Sequence, residues 1–539
     1  MRRLFNVVGV TLLAILAVLV GVTLFGDNIR KMFGASASSL AGVPAERLHD
    51  LRPDAVAVSR PRAPAHAQTL SSATPEPRAS GNRHTAQSPN PFTLTRDDRL
   101  STFAVDVDTA SYALFRRTVG LDMVPHPDSV RVEEWVNAFR YTVPEPRPGT
   151  GDFHVDLEAA PSPFTPDRHL VKVALQGRRV PKSERKPAHL VFLVDTSGSM
   201  SGKDRLELAK TSMKLAAAGL NASDTVTITT YAGDTRTVLE PTPAQERERI
   251  EAAIDSLCTG GGTAMGDGLA LAYQYATRKA GPGVVSRVVV LSDGDTNLGR
   301  NRTAESMLES IRGGVKEGVT LSTIGFGMGN YRDDLMEQLA NRGNGNSFYI
   351  DSEREARRVF QEQLTGTMEV IAQDVKVQVD FEPDAVRGYR LVGYENRAVA
   401  DKDFRDDTVD GGEIGAGHAV TALYEVELTG EGTRLATVRV RAKRPDGAEA
   451  AEQRFPLERH HVHASLKEAS SDLRFATAVA GTADVLRGAP QAADWNLVRA
   501  ESLAEDALDD RPERQEFLSL LRRVRELRAP LSTSRTRDY

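Results

Sequence analysis

The sequence predicts an α/β fold for this 539-residue chain. The expected core is a doubly wound, mostly parallel sheet, flanked by smaller α+β or β modules and preceded by an N-terminal membrane helix. Three observations carry this. Between residues 186 and 370, short continuous apolar runs alternate with amphipathic stretches, the pattern of buried parallel strands covered by helices. Beyond residue 371, runs of alternating apolar and polar residues read as half-buried antiparallel strands. At the start, Arg2 and Arg3 precede an uncharged apolar run from Leu4 to Gly26.

That first run is long enough for a bilayer, which needs about 20 apolar residues. Flanking arginines stay cytoplasmic by the positive-inside rule, which puts the rest of the chain outside. A cleaved signal peptide is the alternative, with Ala35-Ser36-Ala37 as its small-residue site. Either reading exports the body of the chain, to the outer face of the cell membrane or into the medium. The chain's single cysteine, Cys258, does not follow the apolar run, so a lipoprotein anchor is excluded. One thiol also excludes an intrachain disulfide and a CxxC pair. Residues 27–90, rich in Pro, Ala and Ser, cannot bury enough apolar surface to order themselves and read as a tether. As a coil they would span about 45 Å.

The central segment, 186–370, opens on the strand Leu190–Val194. A helix at 206–220, a strand at 225–231, and helices at 247–258 and 264–279 follow. The strand 288–291, helix 304–316, strand 319–326, helix 332–340, strand 348–350 and helix 353–364 complete the alternation. Ligands of such sheets bind outside the carboxyl ends of the strands, at the topological switch point. The polar motifs stand at those ends. Asp195-Thr-Ser197-Gly-Ser199 follows the first strand, and Ser292-Asp293-Gly294-Asp295 follows the strand 288–291. Between them, Gly260-Gly-Gly-Thr263 opens a helix.

Asp195, Ser197, Ser199, Thr263 and Asp293 can thus converge. Hydroxyls and carboxylates suit a small hard cation, Mg²⁺ first, with Mn²⁺ and Ca²⁺ chemically admissible. The bland alternative is that they are ordinary caps and turns. Their conjunction resembles the von Willebrand factor type A (vWA) domain and its metal-ion-dependent adhesion site. The resemblance implies a vWA/Rossmann-like fold, direct metal ligation by Ser197, Ser199 and Thr263, and ligation by Asp195 and Asp293 directly or through water.

Upstream stand Ser101-Thr-Phe-Ala-Val-Asp106-Val-Asp108 and Val130-Arg-Val-Glu-Glu-Trp135. Downstream stand Tyr389-Arg-Leu-Val-Gly-Tyr-Glu395, Gly412-Glu-Ile-Gly-Ala-Gly-His418 and Phe475-Ala-Thr-Ala-Val-Ala480. The whole series is similar to the bacterial YfbK-type family, which implies an N-terminal module (91–185), the vWA domain (186–370) and a C-terminal module (371–528, strands then helices). Residues 529–539 read as a flexible tail. In the C-terminal module, 375–381, 420–428 and 435–441 are the expected strands; 473–486 and 497–527 are the expected helices. Asp106-Val-Asp108 invites a Mg²⁺-dependent phosphatase reading, but Ala110 stands where that pattern needs threonine. His418 reads as a turn histidine. His460-His461-x-His463 lacks a spacing that aims all three rings at one point.

The function this points to is binding, not catalysis. The expected partner is a protein that offers an Asp or Glu carboxylate to the bound cation, with the membrane contacted through the N-terminal helix. Charge excludes a globally basic nucleic-acid binder, since 68 basic residues face 74 acidic ones. A structural or assembly factor using the site for internal or scaffold contacts is the second reading, and a Mg²⁺-dependent hydrolase the third. No phosphate-binding Gly-Lys loop, zinc-protease helix or nucleophile elbow is present in the sequence.

Overall fold

The computed structural model describes residues 82–295, 303–362, 366, 368–445, 449–493 and 495–529. The expected membrane helix at 4–26 and tail at 529–539 lie outside them, except for residue 529. Among the described residues, no helix is long and apolar enough to cross a membrane.

The chain enters with β1 (Thr93–Leu94), β2 (Leu100–Ala104), α1 (Ala110–Gly120) and α2 (Val132–Asn137), then β3 (Phe153–Pro161) and β4 (Arg168–Gly177). The central domain runs β5 (Ala188–Asp195), α3 (Leu206–Gly219), β6 (Thr225–Tyr231), β7 (Thr235–Pro243), α4 (Arg247–Asp255) and α5 (Met265–Lys279). It continues β8 (Val285–Ser292), α6 (Ala304–Lys316), β9 (Thr320–Gly325), α7 (Asp333–Arg342), β10 (Ser347–Tyr349) and α8 (Glu353–Arg357), which passes into a π-turn at Arg358–Glu362. The chain then forms β11 (Val370–Phe381), β12 (Val386–Val392), β13 (Gly412–Gly415), β14 (Ala419–Leu428), β15 (Arg434–Lys443) and β16 (Ala451–Glu458). Helices α9 (Ser471–Arg487), α10 (Leu497–Asp506) and α11 (Pro512–Arg528) close it.

The central sheet has the order β10-β9-β8-β5-β6-β7. All its pairs are parallel except β6–β7. Strand order reverses between β5 and β8, so the switch point lies where the two acidic motifs leave the sheet. The apolar face of β5 explains its place at the centre: Leu190, Phe192 and Val194 face one helix layer, Val191 and Leu193 the other, and all are fully buried. Strand β7 was not anticipated from the sequence. Its Pro241 and Pro243 argue against a central strand, and it is tolerated at the sheet edge, where a missing N–H costs no ladder bond.

The flanking segments are interleaved. One antiparallel sheet has the order β1-β12-β14-β4-β3, and the other runs β13-β11-β15-β16 with β2 also paired to β11. Each therefore mixes strands from before and after the central domain. They pack face to face as a sandwich whose apolar faces share one core, with Phe103, Val155 and Val173 from upstream packed among Val377, Tyr389, Tyr424 and Val438 from downstream. The helices interleave likewise. Tyr112, Phe115, Trp135 and Phe139 of the upstream segment pack with Phe475 and Phe517 of α9 and α11. The central domain is thus inserted into a body built by both flanks. The single helix expected over 497–527 is two helices, because Pro512 starts a new one at its first turn.

Composition placed residues 82–90 in the tether, but they are held to the fold. Asn90 Nδ2 donates to the carbonyls of Leu391 (3.1 Å) and Gly393 (2.7 Å), and Asn82 Oδ1 accepts two backbone N–H bonds. Short polar side chains fixed to backbone supply an order that a count of apolar residues does not register.

Candidate metal centre at the sheet switch point

Three loops meet at the carboxyl ends of β5 and β8. The first carries Asp195, Ser197 and Ser199. It is pinned to the glycine loop by Gly198 N–H to Gly261 O (3.1 Å) and Gly260 N–H to Thr196 O (2.8 Å). The glycine loop brings in Thr263, which is buried, and is tied to β6 by Ala264 N–H donating to Ala232 O (3.0 Å). The third loop carries Ser292 and Asp293. Gly294 turns it with φ +80°, and an added Cβ there would lie 2.9 Å from the Arg332 backbone nitrogen.

Within this cluster Ser197 and Ser199 hydroxyls are 2.9 Å apart, and Ser197 N–H donates to Asp195 Oδ1 (2.9 Å). Asp195 Oδ2 accepts from Ser292 (2.8 Å) and from the Tyr231 hydroxyl (3.2 Å). Asp293 Oδ1 accepts from Asp295 N–H (3.1 Å), and its Oδ2 accepts from Asn330 Nδ2 (2.8 Å). Asp195, Ser197, Thr263 and Asp293 are all buried, whereas Ser199 is half-buried and Gly198 exposed. The cluster therefore opens to solvent at the first loop.

Burial pushes the Asp195 carboxyl up to about 7; the neighbouring Asp293 adds to the rise, against the hydrogen bonds from Ser197 and Ser292. The nearest guanidinium, Arg205, stands 4.0 Å from Asp293 Oδ2 and spends its hydrogen bonds on the Ser199 and Met328 carbonyls and on Asn330 Oδ1. Two buried carboxylates beside three hydroxyls are a donor set that fits a small hard cation. Among the described residues, no three His, Cys, Asp or Glu side chains are placed to hold a metal.

All five residues singled out from the sequence lie in these three loops. Four contributors were missed. Ser292 was visible inside its motif, and Tyr231 ends a predicted strand. Arg205 and Asn330 carry no local signal, because only the fold brings their segments to Asp293. The other candidates go elsewhere. Arg397 engages both Asp106 (3.1 Å) and Asp108 (3.3 Å), and Ser347 N–H donates to Asp108 (2.9 Å). His418 lines a cavity of about 490 Å³ between the sandwich and the central domain, and burial, with Arg287 assisting, pulls it down to about 4. His461 bonds the Glu458 backbone while His463 meets Glu158 (3.0 Å), so the three histidines do not converge.

Family models match most of the chain. The one described as von Willebrand factor type A domain matches residues 189–363, and the one described as von Willebrand factor matches 78–172. That described as Uncharacterized protein YfbK, C-terminal, matches 366–435 and 429–527. Protein YfbK of Escherichia coli (strain K12) is 36% identical over 464 residues, covering 80% of this chain and 79% of that protein. Protein sll0103 of Synechocystis sp. is 27% identical over 221 residues, 41% of this chain and 51% of that one. A solved von Willebrand factor type A structure from Catenulispora acidiphila is 18% identical with a TM-score of 0.43, covering 69% of this chain and 89% of that chain.

Proposed function

We propose that this chain, which belongs to the YfbK family, binds a protein partner through a divalent cation held by Asp195, Ser197, Ser199, Thr263 and Asp293. The observation that carries the reading is the meeting of three oxygen-bearing loops, opening to solvent, at the switch point of a vWA-like sheet. Ser197, Ser199 and Thr263 would contribute neutral oxygens, and Asp195 and Asp293 the charge, directly or through water. A cation with mostly neutral ligands stays electrophilic. An Asp or Glu of the partner is then the favoured incoming ligand, because a carboxylate gains more from the cation than a neutral amide does.

On this reading the protein acts by binding, with Mg²⁺ as the resident ion and Mn²⁺ or Ca²⁺ as substitutes. The apolar run 4–26 holds it at the cell membrane with its body outside, and the Pro/Ala/Ser-rich stretch after it lets the head search for partners. Calorimetric titration of the full chain in detergent tests the metal. One Mg²⁺ or Mn²⁺ site is expected, lost in Asp195→Ala and strongly weakened in Thr263→Ala. Unchanged binding in both variants would assign the cation elsewhere. Once a partner is in hand, replacing its surface acids singly by amides should yield one variant that binds as poorly as wild type does in EDTA. If none does, the cation shapes the surface without touching the ligand.

A further inference from the structure

Asp293 is held by a loop that is itself held from outside the central domain. The loop is 326–332, between β9 and α7. Its Asn330 Nδ2 donates to Asp293 Oδ2 (2.8 Å), and its Met328 carbonyl and Asn330 Oδ1 accept from Arg205 (2.6 and 3.2 Å). The loop has little stiffness of its own. Gly327 and Gly329 both take positive φ, +70° and +100°, in a region that side chains do not restrict for glycine.

Beyond those contacts, the loop is restrained by the chain entering the fold at residues 82–84. Asn82 Oδ1 accepts from both Gly329 N–H (2.9 Å) and Tyr331 N–H (3.1 Å), the two amides on either side of Asn330. Arg83 N–H donates to the Tyr331 carbonyl (3.0 Å), with a parallel bridge from Arg83 to Arg332. His84 Nδ1 lies 3.2 Å from Asp333 Oδ2, at the first turn of α7. From inside the domain the loop is fixed by Phe326 N–H donating to Ser292 O (3.1 Å), by the Tyr349 hydroxyl donating to Gly327 O (2.5 Å), by Arg205 and by the buried Tyr331 ring against Tyr349, whereas the Gly329 and Tyr331 amides that flank Asn330 are held by Asn82.

We infer that Asn82-Arg83-His84 is a strap that positions Asn330 against Asp293 and so sets the cation affinity of the site. The inference rests on the metal reading above. Asn82 is a positioning residue acting through two amides, with no contact to the cation. Because the stretch expected to tether the head leads directly into Asn82, release of the strap would couple the tether to the grip on the cation.

The test uses the full chain in detergent, with Mn²⁺ as the probe. Free Mn²⁺ is read by electron paramagnetic resonance, and the loop by amide hydrogen exchange. Asn82→Ala should speed exchange at Gly329 and Tyr331, leave β5 and β8 protected, and weaken Mn²⁺ binding about threefold to tenfold. Partners that orient a metal ligand directly are worth about 10–100-fold in affinity, and Asn82 stands one step further out. Asn82→Asp keeps the accepting oxygen and should restore both readouts. Faster exchange with unchanged Mn²⁺ affinity overturns the inference, leaving the strap a mere anchor. So does unchanged exchange. Failure of the wild type to bind Mn²⁺ overturns the metal reading and the strap with it, whereas binding by wild type that Asn82→Ala leaves intact overturns the strap alone.

Discussion

Arg397 shows how much one residue can join. Its guanidinium reaches Asp106 and Asp108 of the upstream segment and Asn341 Oδ1 (2.8 Å) of the central domain, while its own backbone belongs to the downstream segment. Both carboxylates are buried. Arg397→Ala would strand them, and breaking such a buried pair costs about 3–5 kcal/mol. Urea denaturation should show a loss of that order. Adding Asp106→Asn and Asp108→Asn should recover part of it; a double-neutral background that recovers nothing would place the role of Arg397 in packing. Glu413 tests the opposite case, a half-buried acid on which Asp410 and Asp374 outweigh Arg397 and Arg287. Burial pushes it up to about 8, with Asp410 and Asp374 adding to the rise. A carboxyl raised above its unfolded value of 4.5 binds more protons when folded. Its contribution is therefore full at low pH and is lost as pH climbs from about 4.5 through 8. Glu413→Gln should raise stability at pH 8.5 by about 1–3 kcal/mol and flatten the pH profile in that window, with little change at pH 4. A profile that stays as steep as wild type would refute it.

At the scale of elements, the site depends on how closely α5 approaches the sheet. Gly268 faces β5 and β6, and an added Cβ would lie 2.9 Å from the Tyr231 Cβ and 3.1 Å from Leu193 Cδ1. Alanine improves helix propensity by about 1 kcal/mol. Here the overpacking opposes that gain, since a Cβ cannot swing aside, and such strain costs about 1–3 kcal/mol. Gly268→Ala should therefore leave stability level or lower, in contrast to a glycine on an open helix face such as Gly313, where nothing lies within 4 Å. Gly313→Ala should stabilise. Thermal unfolding of the two variants side by side decides the matter. Displacing Tyr231 also disturbs its hydrogen bond to Asp195, so Gly268→Ala should weaken Mn²⁺ binding and Gly313→Ala should not.

For the whole molecule, the central domain leaves the sandwich after β4 and returns to it at β11. Its two ends are therefore fixed in neighbouring sheets instead of hanging on a linker. Truncation before β11 would remove the strand partners of β2 and β4 along with the downstream segment. A chain ended at residue 368 should keep β3 and β4 as an exposed hairpin and aggregate, while the full chain stays monodisperse in the same detergent. Size-exclusion chromatography distinguishes the two, and a monodisperse truncated chain would show that the upstream segment folds alone. Topology is tested at this scale as well. A reporter fused after Tyr539 should be active only outside the cytoplasmic membrane, and cytoplasmic activity would reject export.

The sequence by itself determined what is local. Strand β5 is a continuous apolar run and helix α6 is bounded as its periodicity predicts, so the alternating core was legible element by element. The five oxygen-bearing side chains were legible too, because a doubly wound sheet converts position after a strand into position at the switch point. Tertiary structure alone decided the rest. Nothing in β4 announces that it pairs with β14, more than two hundred residues later, and nothing in Asn82 announces Gly329. Those partners are chosen by closure of long loops and by burial of faces that several sequences could cover equally well. The consecutive modules of the sequence are therefore one interwoven body in space, and Arg205, Asn330 and Asn82 reach the loops around Asp293 through contacts that only the folded chain supplies.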